Sequence, residues 1–270
     1  MHSLSVHYGC LGRYNDALKL AEPSAELSSR VLGAEHPSTL TWMQNLGVTY
    51  GKLGRYSDSL RIEESLVKIS TKVLGAEHPL TLVRMQNLGV SYCNLRKYSD
   101  ALKLQHSLCD IFTNTLGAEH PNTLHAIRDH AWTYAQSSHY LKALDLQTPL
   151  FPVYQKLLGQ EHPLTLRVAH DLSETFFHLG RHNDALNLQK SIFNASQENL
   201  GENHPDTISS MFILARTQYY LTDCTDTTDL LKSAIEKSKQ ILGDGHPITL
   251  TRIQYMNTIQ INSTAEEITG

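Results

Sequence analysis

Leu32-Gly33-Ala34-Glu35-His36-Pro37-Ser38-Thr39-Leu40 decides the fold, because the chain returns to it at a fixed interval. Copies stand near 32–40, 74–82, 116–124, 158–166, 200–208 and 242–250, always 42 residues apart. A constant period of roughly 20–50 residues, without insertion or deletion, marks a repeat array. Each copy reads as a turn between two helices. Leu-Gly ends one helix, because Gly accepts the positive-φ backbone that closes a helix C-terminus. His36 falls at the N-cap of the next helix, and Pro37 suits its first position, where the missing N–H costs nothing. Thr39 and Leu40 begin the new helix.

A second landmark divides each unit. Gly54-Arg55-Tyr56-Ser57-Asp58-Ser59-Leu60 returns as Arg96-Lys97-Tyr98-Ser99-Asp100-Ala101-Leu102 and Gly180-Arg181-His182-Asn183-Asp184-Ala185-Leu186, and stands earlier as Gly12-Arg13-Tyr14-Asn15-Asp16-Ala17-Leu18. The unit is therefore a shorter helix A followed by a longer helix B. Helix A of the second unit is expected from about Ser38 to Leu53, with Leu40, Met43, Leu46 and Tyr50 on one apolar face. Helix B is expected from about Ser57 to Leu74, with Leu60, Ile62, Leu66, Val67, Ile69 and Val73 at its apolar positions. The chain as a whole reads as all-α: residues 1–262 an array of about six helix pairs plus a C-terminal capping helix, and 263–270 a polar tail.

Composition narrows the partners. The chain is 40% hydrophobic and 19% charged with net charge −4, which gives no electrostatic reason to expect nucleic acid or an anionic membrane. No apolar run approaches the ~18 residues needed to span a bilayer. The start, Met1-His2-Ser3-Leu4-Ser5, lacks the basic and apolar regions of a signal peptide. Cys10, Cys93, Cys109 and Cys224 are scattered without a CxxC, so reduced thiols and a cytoplasmic location are expected. The sequons at Asn194 and Asn262 read as chance.

Helix A carries the tetratricopeptide pattern W-x2-L-G-x2-Y as Met43-x2-Leu46-Gly47-x2-Tyr50 and Met85-x2-Leu88-Gly89-x2-Tyr92; the small residue becomes Ala131, Ser173 and Ala215 in later units. The 42-residue period, the L-G-x-E-H-P-x-T-L junction and the N-L-G-x-x-Y helix together resemble the kinesin-light-chain class of tetratricopeptide repeats. That class forms right-handed superhelical solenoids, and also ligand-sensing arrays in fungal and bacterial signalling proteins, often behind a nucleotide-binding domain. The resemblance implies a scaffold that holds a peptide or protein segment in a concave groove lined by A helices. In the class, Asn in the N-L-G/A column holds ligand backbone; Asn45 and Asn87 match that column, whereas Asp129 and Asp171 do not.

Mapped by column, the groove should be lined at its fifth and sixth positions by Gln44 and Asn45, Gln86 and Asn87, Arg128 and Asp129, His170 and Asp171, then Phe212 and Ile213. Thr41, Val83, His125, Arg167 and Ser209 take the second position; Val48, Val90, Trp132, Glu174 and Arg216 the ninth; Lys52, Asn94, Gln136, His178 and Tyr220 the thirteenth. Amides donate and accept, so they can pair with any extended main chain. Arg128, Arg167 and Arg216 either bind ligand carboxylates or pair with Asp129, Asp171 and Glu174 and leave a self-neutralised groove. Trp132 is either a core residue or a platform for an apolar ligand group.

Three further readings remain open at this point. Junction histidines 36, 78, 120, 162, 204 and 246 stand too far apart, about 10 Å per stacked helix, to share a zinc ion, which needs ligand atoms at about 2 Å; they read as caps, and neither metal nor cofactor is expected. A pair among His125, His130, His170 and His178 on adjacent units is the alternative. His170 beside Asp129, Asp171 and Glu174 is the one cluster with the residues for proton transfer or a small-molecule site, but no nucleophile motif or phosphate loop accompanies it and no catalytic residue is assigned. Met1 occupies the column of Met43, so the chain starts inside a helix A; a trimmed chain, a truncated reading frame or loss of an upstream domain is expected, with Leu4, Val6 and Tyr8 exposed and a homodimer through terminal faces as a further possibility. Pro23, Pro149 and Pro152 fall inside B helices, either as bends on the outer surface or as changes of curvature. Thr222-Asp223-Cys224-Thr225-Asp226-Thr227-Thr228 replaces the second landmark in the last unit and looks weakened.

Overall fold

A computed structural model describes residues 5, 7, 8, 13–222 and 225–269. Among these residues every regular element is a helix: α1 (Tyr14–Leu32), α2 (Pro37–Lys52), α3 (Tyr56–Leu74), α4 (Pro79–Asn94), α5 (Tyr98–Leu116), α6 (Pro121–Gln136), α7 (Tyr140–Leu158), α8 (Pro163–His178), α9 (His182–Leu200), α10 (Pro205–Thr222), α11 (Thr225–Leu242) and α12 (Pro247–Thr269). The chain divides into two compact units, Met1–Ser138 and His139–Gly270. Within the first, α1 to α6 each pack on the next helix; within the second, α7 to α12 do the same. The expected alternation of a shorter A helix and a longer B helix is present from α1 to α9, with 16 and 19 residues as in α2 and α3.

The junction motif now has an atomic account. At the end of α1, Gly33 takes φ 91° and its N–H donates to the Ser29 carbonyl at 3.0 Å; a Cβ would be strained there. His36 then turns extended, and its Nδ1 accepts from the Ser38 N–H at 3.1 Å. Thr39 is fully buried and its hydroxyl meets that of Ser28 on α1 at 2.9 Å. The same Thr column ties later A helices to the preceding B helix: Thr207 donates to the Ser196 carbonyl at 3.0 Å.

The second landmark closes the other turn. Arg55 N–H reaches back to the Tyr50 carbonyl at 2.9 Å, its guanidinium lies 4.3 Å over the Tyr50 ring, and its Nε donates to Asp58 at 2.8 Å. Arg181 repeats this over Phe176 with Asp184. Gly54 permits the turn with φ 74°, whereas the same column holds Arg96 at φ 57°. A side chain in that region costs roughly 1–2 kcal/mol. Arg96→Gly is therefore expected to raise stability by about 0.5–1 kcal/mol after the added freedom of the unfolded chain is subtracted, measured by chemical denaturation.

Packing follows the expected stripes with instructive exceptions. Leu40, Leu46 and Tyr50 on α2, and Leu60 and Leu66 on α3, are buried. Val73 is not part of the core; it is exposed in the last turn of α3. Conversely, Glu63 and Ser70 on α3 and Arg84 on α4 are buried, although their residue types belong to surfaces. In the second unit Ile208, Met211, Phe212, Ala215, Leu231, Ala234, Ile235, Met256 and Ile259 form one apolar cluster across α10, α11 and α12.

Size is complementary across three of the B-to-A junctions at a spacing of 14 residues. The pairs read Ser28/Trp42, Ser70/Arg84, Phe112/Ala126, Tyr154/Val168, Ser196/Ser210 and Ser238/Arg252. Arg84 Nη1 donates to the Ser70 hydroxyl, and Arg252 Nη1 to that of Ser238 at 2.5 Å. Phe112 and Ala126 belong to one core cluster instead. In these three pairs a large side chain from one helix packs against a small one on its neighbour.

The prolines do not break their helices. Pro23 in α1 and Pro149 and Pro152 in α7 are solvent-exposed, so the lost hydrogen bonds face water. The last helix is longer than expected: α12 continues past Ile261 to Thr269, because Asn262 to Glu267 contain neither Pro nor Gly. The helix thus runs on through residues 263–269 of the expected polar tail. Leu4, Val6, Asp223 and Cys224 lie outside the described residues.

Candidate functional site

In the first unit the A helices α2, α4 and α6 repeat one surface pattern. Gln44 and Asn45 on α2 and Gln86 and Asn87 on α4 are half-buried at identical positions in their helices. Among the described residues the side chains of Gln44, Gln86 and Asn87 bond to nothing. One turn further along, Val48, Val90 and Trp132 are 42%, 53% and 40% exposed. Trp132 is thus on the surface, not in the core. Amides that can bond in both senses stand beside uncovered apolar side chains.

On α6 the amides give way to a closed charge network. Arg128 Nη2 lies 2.9 Å from Asp129 Oδ1 and 3.1 Å from His125 Nε2, while His125 Nδ1 lies 3.2 Å from Asp129 Oδ2. Burial alone would raise the Asp129 carboxyl, but the His125 hydrogen bond and the charges of His125 and Arg128 outweigh it and hold the group below the ordinary range. Asp129 is an ion held by its own helix. His130, next in the chain, points the other way: it is buried, stacked 4.7 Å from the Tyr134 ring, with Nδ1 3.9 Å from Cys109 Sγ. Burial pushes its imidazole down to about 4, and burial also pushes the Cys109 thiol up to about 12. A neutral thiol is a poor nucleophile.

In the second unit α8 carries Arg167, His170, Asp171, Glu174 and His178, and α10 carries Arg216 and Tyr220. Glu174 is taken: Arg216 Nη2 reaches its Oε1 at 2.5 Å from one repeat away, and the same guanidinium lies 4.4 Å over the Phe177 ring. His170 Nδ1 stands 4.0 Å from Asp171 Oδ1. Arg167 is exposed and has no ion-pair partner among the described residues. Phe212 does not line this surface; it is buried against Tyr255, with ring centroids 5.6 Å apart.

The expected residues thus separate into two sets. Gln44, Asn45, Gln86, Asn87 and Trp132 share a face of the first unit with Arg128 and Asp129, while Arg167, His170, Asp171, Glu174 and Arg216 share helices of the second. Arg128 and Arg216 are neutralised within the protein, as self-pairing would have it; Arg167 is not. The sequence reading missed an aromatic cluster at the C-terminal end of α8: Phe177 meets Tyr220 edge-on at 4.9 Å and His182 at 5.0 Å, and Tyr140 stacks on His178 at 4.6 Å. The signal was the replacement of Lys52 and Asn94 by His178 and Tyr220 in one column. Among the described residues no group of three or more His, Cys, Asp or Glu side chains is placed to hold a metal ion. No helix among them is long and apolar enough to cross a membrane.

Comparison with known proteins agrees with this architecture. The tetratricopeptide repeat family model matches residues 1–72, 81–148 and 172–240. No curated protein sequence matches the chain. Among solved structures, a protein of Podosopora anserina described as kinesin-light-chain type, with nearly identical TPR-like repeats, is 26% identical over 73% of this chain and 93% of its own, with a TM-score of 0.65. BtubC (BKLC) from P. vanneervenii is 14% identical over 87% of this chain and 94% of its own, with a TM-score of 0.69. A Rap protein complexed with Competence and Sporulation Factor is 13% identical over 95% of this chain and 72% of its own, with a TM-score of 0.64.

Proposed function

This chain belongs to the tetratricopeptide repeat family, and from that premise we propose that it is a binding module that holds an extended peptide or protein segment along its A helices. The observation that carries the reading is the repeated pair of half-buried amides, Gln44 with Asn45 and Gln86 with Asn87, of which Gln44, Gln86 and Asn87 bond to nothing among the described residues, beside the exposed side chains of Val48, Val90 and Trp132. Amides at the helix-to-helix repeat can bond to ligand main chain, and the apolar neighbours can cover its side chains. The Rap protein of similar fold is complexed with Competence and Sporulation Factor, which is consistent with ligand binding by arrays of this kind. The charge network on α6 is already neutral, so the first unit favours a segment without a concentrated charge.

The test is selection of the chain against a displayed random-peptide library. Peptides enriched on the wild type should bind the Asn45→Ala/Asn87→Ala variant at least about tenfold more weakly, the loss of two hydrogen bonds of roughly 1 kcal/mol each. Equal binding by a folded variant would remove these amides from the site, and absence of enrichment on folded wild type would count against peptide recognition.

A further inference from the structure

We infer that the six junction histidines make the array acid-responsive, because each caps its helix only as a neutral imidazole. Nδ1 accepts from the backbone N–H two residues on in every copy: His36 from Ser38 at 3.1 Å, His78 from Leu80, His120 from Asn122, His162 from Leu164 and His204 from Asp206 each at 3.2 Å, and His246 from Ile248 at 3.3 Å. An accepting Nδ1 places the ring proton on Nε2. A second proton turns the acceptor into a donor that faces N–H groups, and sets a cation at the positive end of the helix dipole. Ser, Asn and Thr, the common caps, carry no such group.

The repetition gives the effect its size. Every A helix from α2 to α12 with a described junction begins this way, and in a stacked array the contributions of the units add. The charged surroundings work in both directions. The preceding B helix places Arg30, Lys72, Lys156 or Lys239 in its last turn, which disfavours further positive charge. Chain-adjacent Glu35, Glu77, Glu119 and Glu161, and Asp244 two residues before His246, favour it, but Glu35 is paired with Lys72 at 2.5 Å. Glu202 is likewise paired with Lys237. His204 Nδ1 lies 3.7 Å from a carboxylate, Asp206 Oδ2. The stability that a neutral cap provides is present while the imidazole is neutral and is lost as pH falls.

Thermal unfolding of the full chain at about pH 7.5 and pH 5.5, followed by circular dichroism, tests this. The comparison is with a variant carrying Asn at all six junction positions, a cap that does not titrate. The wild-type midpoint is expected to fall by about 10 °C on acidification and that of the variant by less than half as much. Equal falls in the two proteins would overturn the inference. Buried His130, which also favours neutrality, and Glu63, which acts in the opposite sense, are common to both proteins and cancel in the comparison. If the sixfold variant does not fold, amide exchange in the wild type decides. The Leu80 and Ile248 N–H groups should lose protection on acidification ahead of core amides of α3 and α11, and unchanged relative protection would refute the cap as the sensor.

Discussion

Ser70→Phe alone is expected to lower the unfolding free energy by about 3 kcal/mol, and Arg84→Ala added to it should restore most of that loss. Ser70 is fully buried, so a phenyl ring there collides with the Arg84 side chain, itself only 4% exposed. One repeat later the protein already contains the combination that the double variant creates, Phe112 packed with Ala126 in one core. Arg84→Ala by itself should cost about 1–2 kcal/mol, since the void outweighs relief of the buried cation. Burial pushes the Arg84 guanidinium below its ordinary value, and its Nε has no partner among the described residues, so little electrostatic stability is lost with it. Denaturant unfolding of wild type, both single variants and the double variant should give a coupling of at least about 2 kcal/mol. Additive losses would show that the two columns are independent.

Glu63→Gln should stabilise the protein by about 1–2 kcal/mol near neutral pH. Glu63 is 5% exposed, its Oε1 accepts from the Ser59 hydroxyl at 3.4 Å, and its Oε2 has no partner. Burial raises the carboxyl above its ordinary value, against the smaller opposing effect of the Ser91 and Ser59 hydroxyls. The sign follows from linkage. A carboxyl whose folded-state value is raised binds its proton more readily when folded, so wild-type stability grows as pH falls through that raised value and levels off below the unfolded one. The variant lacks the group, and its advantage should shrink as pH is lowered toward about 4. Gln already occupies the column at Gln105, Gln147 and Gln189, all buried, so the substitution fits the local packing. A constant advantage across pH, or none, would show that Glu63 is not held against its charge.

The same residues show what could be read from sequence. The junction motif located the start of each A helix to within a residue, because Gly, His and Pro each act through their own backbone chemistry. The A-helix columns anticipated that Asn45, Asn87 and Trp132 would keep some exposure, which they do. Glu63 and Arg84 were not foreseen inside, because a charged residue in an amphipathic pattern reads as solvent-facing, and only the neighbouring helix determines whether space is left for it. Phe212 was placed on the surface by column, yet the last repeats fill that side with apolar residues and draw it into the core. The Arg216–Glu174 contact joins residues 42 apart, so it needed the repeat geometry before it could be chosen over a free cation.

The matched columns also constrain how such a chain can grow or shrink. The junction is the most uniform segment of the gene product, so unequal exchange between copies would most readily occur there. A 42-residue loss with its breakpoints at junctions, removing 75–116, would bring Ser70 against Ala126 and leave a hole where two small residues meet. The same loss with its breakpoints at the turns after A helices, removing 55–96, would keep Phe112 with Ala126 on the retained segment. The inheritable module is therefore a B helix with the A helix that follows it, offset by half a unit from the motif that makes the repeat visible.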